Sequence, residues 1–206
     1  MNNKGRSSDS FGLIVVSAPS GAGKSTLCAE LLKRNANRLS LSISSTSRQP
    51  RGSEVHAKEY FFLSGNEFQS KIDQGIFVEW ANVHGNFYGT SRETLDLFWS
   101  QQKHVLLDID VQGSETLRNA FGPRAFTVFI APPSMEVLEQ RLRGRGTDSE
   151  EVIQKRMFNA REEMKQMDRF DLTVVNDDFQ QAYQQLEQSV LSFMDQHEEG
   201  LWQKRP

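Results

Sequence analysis

The chain of 206 residues has a single cysteine, Cys28, which excludes an internal disulfide and fits a protein of a reducing compartment. It also has no apolar run that approaches the roughly 20 residues of a membrane-spanning helix. Basic residues are not in excess, since the net charge is −3 at pH 7, and this balance argues against a general nucleic-acid binder. These absences predict a cytoplasmic protein without nucleic-acid or membrane partners, either a monomer or a homo-oligomer.

The most informative segment is a short apolar strand pattern at residues 13–17 that leads into a glycine-rich turn, a lysine and two hydroxyl residues. This order, followed by a helical pattern, is typical of a phosphate-binding loop. Its glycines let backbone N–H groups face phosphate oxygens, and the helix adds the positive end of its dipole. The predicted nucleotide-binding residues are Ala18, Pro19, Ser20, Gly21, Ala22, Gly23, Lys24, Ser25 and Thr26.

Two side chains of this loop have predicted chemical roles. Lys24 can reach the outer phosphates of a nucleoside triphosphate as a point charge, and Ser25 can hold a magnesium ion. Ala18 stands where the strict pattern has glycine, which changes the first corner of the loop but none of its phosphate-facing positions. A flexible turn before a helix is the alternative, but such a turn does not need a lysine and hydroxyls at the helix start. The chain is therefore predicted to bind a nucleoside triphosphate.

Three more apolar segments predict strands, at residues 104–107, 126–130 and 172–175. The first and third stop at polar residues and the second at an alanine and two prolines, as short strands that are buried on both faces of a parallel sheet do. Helical patterns separate these strands. The chain is therefore predicted to form a doubly wound α/β core with a parallel sheet, in the three-layer arrangement of P-loop NTPases.

Two segments depart from this alternation and predict insertions. Residues 42–100 combine short aromatic segments with polar residues, which is typical of a small, partly exposed sheet in a mixed α/β lobe. Within it, Thr90 and Glu93 have the spacing of a capping box that begins a helix. The second insertion predicts two helices separated by a glycine-rich break, as in a lid. The predicted domains are the P-loop core at 1–41, 104–135 and 168–206, the inserted lobe at 42–103 and the helical lid at 136–167.

Two aspartates follow the predicted strand at 104–107. Asp108 closes the strand, where a nucleotide-binding sheet carries the carboxylate that organises magnesium and its waters. Turn formation is the alternative for a lone aspartate, and the phosphate loop favours the metal role. Asp110 either caps the next helix or acts in the site, and the sequence alone does not separate these two roles.

Arginines are concentrated in the predicted lid. They are Arg141, Arg143, Arg145, Arg156 and Arg161. Phosphoryl transfer needs guanidinium groups that close over the phosphates, and the neighbouring glycines supply a bend. The alternative is a solvated helix face of Arg–Glu pairs, with acidic partners that include Glu163. We predict catalytic roles for Arg141, Arg145 and Arg156, and solvated pairs for Arg143 and Arg161.

A second basic site begins the inserted lobe at residues 44–51, where hydroxyl residues precede Arg48 and Arg51. Two arginines three residues apart, with Tyr60 after them, form a candidate clamp for a monophosphate. A loop that is merely polar is the alternative interpretation.

Taken together, these segments resemble the guanylate kinase family of the bacterial type. The resemblance covers the chain from about residue 12 to about residue 193. It rests on residues 17–25, 44–51, 52–56, 85–91, 107–113, 141–146 and 175–178, which occur in the family's order. Alanine at position 18 also occurs within that family.

The resemblance implies transfer of the γ-phosphoryl group of ATP to GMP, giving ADP and GDP, with magnesium held at Ser25 and Asp108. It implies that the inserted lobe binds GMP. The residues implied for the GMP phosphate are Arg48, Arg51, Tyr60 and Tyr88. Those implied for guanine are Ser44, Glu79, Thr90 and Asp110. Those implied for the transferring phosphate are Lys24, Ser25, Arg141, Arg145 and Arg156. Asn176 would contact the adenine of ATP, unless it only forms a turn.

Glu79 is the residue on which the choice of acceptor chiefly depends. Guanine presents N1–H and N2–H₂ donors that one carboxylate can accept together, whereas adenine presents a lone pair at N1. Strand alternation leaves a solvent-facing Glu79 as the alternative.

Two other functions stay open at this point. A related enzyme could phosphorylate another phosphorylated acceptor, such as a ribose bisphosphate, and a guanylate-kinase-like domain could be a non-catalytic peptide-binding module. The intact phosphate loop and the lid arginines argue against the module. A GTP-hydrolysing switch would need an Asn-Lys-x-Asp segment, and the sequence contains none.

Overall fold

The computed structural model describes residues 8–83, 85–144, 146 and 148–201, and within them it contains nine β-strands and seven α-helices. The strands are β1 (Leu13–Ser17), β2 (Leu39–Leu41), β3 (Ser45–Thr46), β4 (Phe61–Phe62), β5 (Phe77–Val83), β6 (Asn86–Ser91), β7 (His104–Asp108), β8 (Ala125–Ala131) and β9 (Leu172–Val175). The helices are α1 (Lys24–Arg34), α2 (Gly65–Asp73), α3 (Arg92–Ser100), α4 (Val111–Phe121), α5 (Met135–Arg143), α6 (Glu150–Met164) and α7 (Phe179–Glu198).

The larger sheet is parallel throughout, with the strand order β2-β7-β1-β8-β9. The predicted strands at 104–107, 126–130 and 172–175 are confirmed as β7, β8 and β9. Strands β1 and β7 are neighbours, and Val16 lies opposite Asp108. Because the carboxyl ends of parallel strands meet at one edge of the sheet, the loop after β1 and the carboxylate that ends β7 lie side by side.

The core has three layers because β1 is apolar on both faces. Ile14 and Val16 pack against α1 and α7 on one side of the sheet. Leu13 and Val15 pack on the other side with residues of α3 and α4. All four side chains are fully buried, and each such side chain contributes about 1.5–3 kcal/mol to folding. The predicted doubly wound α/β architecture is confirmed.

The second sheet is small and mixed, with the strand order β4-β3-β6-β5. Its centre is Phe68 of α2, which stacks between Phe77 and Phe87 at ring-centroid distances of 4.4 and 5.4 Å. This sheet corresponds to the aromatic segments of the predicted lobe. The predicted cap at Thr90 is wrong, because α3 is capped by the Ser91 side chain, which accepts from the backbone N–H of Thr94.

Helices α5 and α6 pack on each other through a separate apolar cluster that includes Leu138, Leu142 and Met157. These two helices occupy the segment predicted as a lid. Helix α3, at the end of the predicted lobe, packs its Leu95 and Trp99 against strands of the parallel sheet. The division of the chain into core, lobe and lid stays a prediction.

Among the described residues, no helix combines the length and the apolar character needed to cross a bilayer.

Candidate nucleotide site

The loop between β1 and α1 is tight and depends on two glycines. Gly21 and Gly23 have φ angles of 100° and 95°, in the left-handed region that side chains disfavour. A Cβ atom on Gly23 would also overlap the side-chain amide of Asn176, which donates a 2.7 Å hydrogen bond to the carbonyl of Ala22. Helix α5 packs on the same loop, since a Cβ on Gly21 would lie 3.0 Å from Leu138 Cδ1. The loop is therefore held in shape from two sides.

A cavity of about 390 Å³ opens over this loop. Its lining residues are Ala18, Pro19, Ser20, Gly21, Gly23, Lys24, Ser25, Thr26, Asp108 and Glu163. Of the predicted loop residues, Ala22 alone does not line the cavity, because it is fully buried beneath it. Asn176 is also buried and supports the loop from beneath through Ala22. The volume is within the usual range for small-molecule sites.

The two charges at the floor of this cavity lie where the sequence predicted them. The Lys24 ammonium forms an ion pair with the Asp108 carboxylate, and the side chains are 18% and 40% exposed. The same group of charges affects Cys28, which lies in α1: burial raises the pKa of its thiol to about 12, and the Asp108 charge adds to the shift. Cys28 is thus a buried, protonated thiol, as expected for a small packing residue.

Glu163 of α6 is a functional candidate that the sequence analysis missed. It lines the phosphate-loop cavity, and its Oε2 atom is buried without a hydrogen-bond partner among the described residues. Burial raises the pKa of its carboxyl group to about 7, against the opposing effect of Lys24. A signal was available, because Glu163 follows the buried positions Met157 and Ala160 at helical spacing and so lies on the inner face of α6.

The side-chain oxygens of Ser25, Asp108 and Glu163 fit a magnesium ion that is bound together with a nucleotide. Mg²⁺ usually keeps several waters and uses one or two carboxylates together with substrate phosphates. Ser25, Asp108 and Glu163 line the cavity, and Glu163 Oε2 has no hydrogen-bond partner among the described residues. Among the described residues, no three side chains of His, Cys, Asp or Glu converge as a ready-made metal site. The donor set therefore suits a metal shared with phosphates.

The predicted lid arginines are only partly brought to the cavity. Arg141 donates from Nη2 to the backbone carbonyl of Asn176 at 2.9 Å, which places it beside the loop. Arg156 is paired with Asp148 at 3.0 Å. Arg145 lies outside the described residues. Arg143 forms exposed pairs with Glu139 and Glu150, and it lowers the pKa of Glu150 to about 2. Arg143 thus has the solvated pairing expected of it.

A second cavity, of about 90 Å³, lies between the small sheet and the end of β7. Its lining residues are Ser44, Tyr60, Glu79, Ala81, Val83, Tyr88, Gly89, Asp108, Ile109 and Asp110. Ser44, Tyr60, Glu79, Tyr88 and Asp110 were all predicted for the acceptor. Asp108 lines this cavity and the phosphate-loop cavity alike. The two cavities therefore share a wall at the edge of the parallel sheet.

Glu79 is buried in the wall of the second cavity, with 6% of its surface exposed. Its Oε1 accepts a 2.8 Å hydrogen bond from the hydroxyl of Thr90, which is fully buried and so supports Glu79 from behind. Burial raises the pKa of the Glu79 carboxyl to about 7, and the Asp110 charge adds to the shift. The alternative of a solvent-facing Glu79 is wrong. The pairing register shifts between Phe77 and Glu79, and the neighbouring Trp80 is 47% exposed.

Asp110 is placed where both of the roles that the sequence left open are compatible. It caps α4, because its Oδ1 accepts a 2.7 Å hydrogen bond from the backbone N–H of Gly113. It also lines the second cavity. The cap fixes the position of the carboxylate, so the two roles support each other.

Arg48 and Arg51 are connected by Glu54, whose role the sequence analysis missed. Arg48 is buried and donates to both carboxylate oxygens of Glu54, at 2.9 and 3.0 Å. Glu54 also accepts from the backbone N–H of Arg51 at 2.7 Å. The guanidinium of Arg48 lies 5.5 Å from the ring centre of Tyr60, which in turn contacts Tyr88 edge to face. The four residues predicted for a monophosphate are thus grouped, although Arg51 is exposed.

Comparison with known proteins shows the family to which this chain belongs. The family model described as guanylate kinase matches residues 11–192. The guanylate kinase of Idiomarina loihiensis is 48% identical over 87% of this chain and 86% of its own length, and that of Aromatoleum aromaticum is 46% identical over 92% and 94%. The crystal structure of guanylate kinase from Anaplasma phagocytophilum superposes with a TM-score of 0.71 at 29% identity, over 91% of this chain and 87% of that one. The chain belongs to the guanylate kinase family.

Proposed function

We propose that this protein transfers the γ-phosphoryl group of ATP to GMP, giving ADP and GDP, in a magnesium-dependent reaction. The observation that carries the proposal is the shared wall at Asp108. The phosphate-loop cavity and the cavity of Glu79 meet there, so the outer phosphate of a nucleotide in one would face a monophosphate in the other. Family membership supports the same pair of substrates.

The donor side is built for electrostatic positioning. Backbone N–H groups of the loop at residues 20–26 and the Lys24 ammonium would hold the phosphates of ATP. A magnesium ion held by Ser25 and Asp108 would neutralise charge on the phosphates when bound. No nucleophile on the protein is needed, because the GMP phosphate attacks directly and catalysis then rests on alignment and charge. Arg141, Arg145 and Arg156 are proposed to stabilise the transferring group. Asn176 is proposed to hold the loop through Ala22 and to lie next to the adenine of ATP.

The acceptor side reads guanine by hydrogen bonding. The ionised Glu79 carboxylate would accept from guanine N1–H and N2–H₂, with Ser44 and Asp110 around the same ring and Thr90 behind Glu79. Arg48, Arg51, Tyr60 and Tyr88 would hold the GMP phosphate. Adenine presents a lone pair at N1, which would face the carboxylate without a proton between them. The substrates proposed are therefore ATP and GMP, and the compartment proposed is the cytoplasm.

The direct test is an ADP-release assay with ATP, magnesium and one acceptor at a time. We expect GMP to be phosphorylated and AMP, CMP, UMP and dTMP to react at least about a hundredfold more slowly in kcat/KM, because they cannot donate two hydrogen bonds to Glu79. A ribose bisphosphate as the preferred acceptor would contradict the proposal, and so would the absence of any ADP release, which is the result expected of a peptide-binding module.

A pH dependence follows from the buried carboxyl group of Glu79. Its pKa is about 7 in the protein, and GMP needs the ionised form, so binding below that pH must first remove a proton. We expect the GMP affinity to fall by up to about tenfold for each pH unit below pH 7. Calorimetric titration with GMP alone, from about pH 5.5 to about pH 8, measures this slope.

The matched control is Glu79→Gln, which has no titrating carboxyl at this position. The GMP phosphate itself titrates near pH 6, roughly as other phosphate monoesters do, and that contribution should remain in the variant. The difference between the two slopes belongs to Glu79. Equal slopes would contradict a role for the Glu79 carboxylate in GMP binding.

A further inference from the structure

Gly113 occupies the first turn of α4, directly beside the two carboxylates of the acceptor cavity. A Cβ atom added to Gly113 would lie 3.1 Å from Glu79 Oε2, 3.1 Å from Ile109 Cδ1 and 3.3 Å from Asp110 Oδ1. These separations are shorter than the roughly 3.5–4.0 Å of a favourable contact between heavy atoms. An added side chain at position 113 would therefore require these neighbours to move by a few tenths of an ångström.

The backbone at Gly113 does not explain why glycine stands there. Its φ angle is not positive, and it lies within a regular α-helix. Glycine is among the poorest helix formers, so alanine would be the better residue on helix propensity alone. The close approach of Glu79, Ile109 and Asp110 to its Cα is what remains to account for the glycine.

We infer that Gly113 is a specificity-determining position, which holds the two guanine-reading carboxylates in place by its missing side chain and its backbone N–H. The N–H donates to Asp110 Oδ1 at 2.7 Å and fixes that carboxylate. The open Cα face leaves room for Glu79 Oε2 against the first turn of α4, where the helix dipole favours a negative charge. The inference rests on the proposed function, in which Glu79 and Asp110 contact guanine.

Glu79 has little freedom to yield to a methyl group at position 113. Its Oε1 is bonded at 2.8 Å to Thr90, and both residues are buried. Movement away from Gly113 would break this bond or carry the carboxylate into the cavity that guanine would occupy. Two hydrogen bonds to adjacent ring donors require good distances and angles at the same time, so a shift of a few tenths of an ångström weakens both.

The test is Gly113→Ala, compared with Gly65→Ala as a matched control in α2, where an added Cβ would meet nothing within 4 Å. For Gly113→Ala we expect the KM for GMP to rise by on the order of tenfold and the GMP/AMP preference to fall accordingly. The KM for ATP and the Tm should change little, and Gly65→Ala should leave all four quantities near those of the parent protein. An unchanged KM for GMP would overturn the inference, and so would an equal rise in both KM values.

A double-mutant cycle with Glu79→Ala separates positioning from a general packing defect. If Gly113 acts by making room for Glu79, the Gly113→Ala change should have less than about a twofold effect on GMP use once Glu79 is alanine. The double variant also removes Glu79 Oε2, which is one of the three atoms that crowd an added Cβ, and leaves Ile109 and Asp110 in place. It therefore isolates the contribution of Glu79 to the effect of Gly113→Ala.

If Gly113→Ala weakens GMP use equally in the parent protein and in the Glu79→Ala variant, the inference about Gly113 is overturned and the proposed function still stands. A parent protein that does not phosphorylate GMP would instead overturn the proposed function, and this inference with it. A Glu79→Ala variant that keeps its full GMP/AMP preference would overturn the proposed role of Glu79 in reading guanine. These results come from the parent and the Glu79 single variant, so the two kinds of failure are distinguishable.

Discussion

Replacing Lys24 with alanine should abolish most turnover while leaving the fold intact. Lys24 lines the phosphate-loop cavity and begins α1, so its ammonium would lie against the outer phosphates of ATP. Loss of a charge that stabilises the transition state should cost about 3–5 kcal/mol, or about two to four decades in kcat. The measurement is ADP release at saturating ATP and GMP, together with the Tm of the variant.

The fold should tolerate this change because the ion pair that it removes is partly exposed to solvent. The Lys24–Asp108 pair has side chains 18% and 40% exposed, and such pairs are worth about 0–1 kcal/mol. Lys33→Ala is the matched control, since Lys33 lies in the same helix with its side chain 80% exposed. It should keep kcat within about twofold of the parent. A Lys24→Ala variant with near-normal kcat would show that this loop is not the catalytic one.

The parallel core was predictable because its signals are local. Strands β1, β7 and β9 are short apolar runs that end at polar residues, β8 is one that ends before two prolines, and the helices between them are periodic in sequence. Strand β2 was not predicted, and β3 has only two residues, Ser45–Thr46, whose burial depends on pairing with β4 and β6. The cap of α3 was misplaced by one residue, since Thr90 is drawn into β6 and bonds Glu79 instead. The short strands and the position of this cap depend on tertiary contacts, which a local sequence pattern does not contain.

The candidate site shows the same division. The loop residues and Asp108 follow from motif and strand position, because the adjacency of β1 and β7 is enough to bring them together. Glu54 and Glu163 are different, since each gains its role from a partner or a cavity that only the folded chain provides. Gly113 is a further case, because the role inferred for it depends on the close approach of Glu79 Oε2 to its Cα. Sequence patterns predict side chains that contact a ligand better than they predict what holds those side chains in place.

The change with the largest expected effect on substrate choice is Glu79→Ala. The variant should fold, because the raised pKa of Glu79 means that burial already disfavours its charge in the folded protein. Its side chain is bonded to Thr90, whose hydroxyl would be left without that acceptor. Glu93→Ala is a suitable control, since Glu93 is an exposed glutamate at the start of α3. Equal Tm values for parent and variants would confirm that activities can be compared.

For Glu79→Ala we expect kcat/KM for GMP to fall, with a loss of transition-state stabilisation of about 2–4 kcal/mol. The reason is that guanine N1–H and N2–H₂ would lose their shared acceptor. The KM for ATP should barely change, since Glu79 does not line the phosphate-loop cavity. AMP makes no such pair and should lose little, so the GMP/AMP preference should shrink by at least about a decade. Steady-state kinetics with both acceptors measures this. An equal loss for GMP and AMP would mean that Glu79 supports the fold and that guanine is read by other residues.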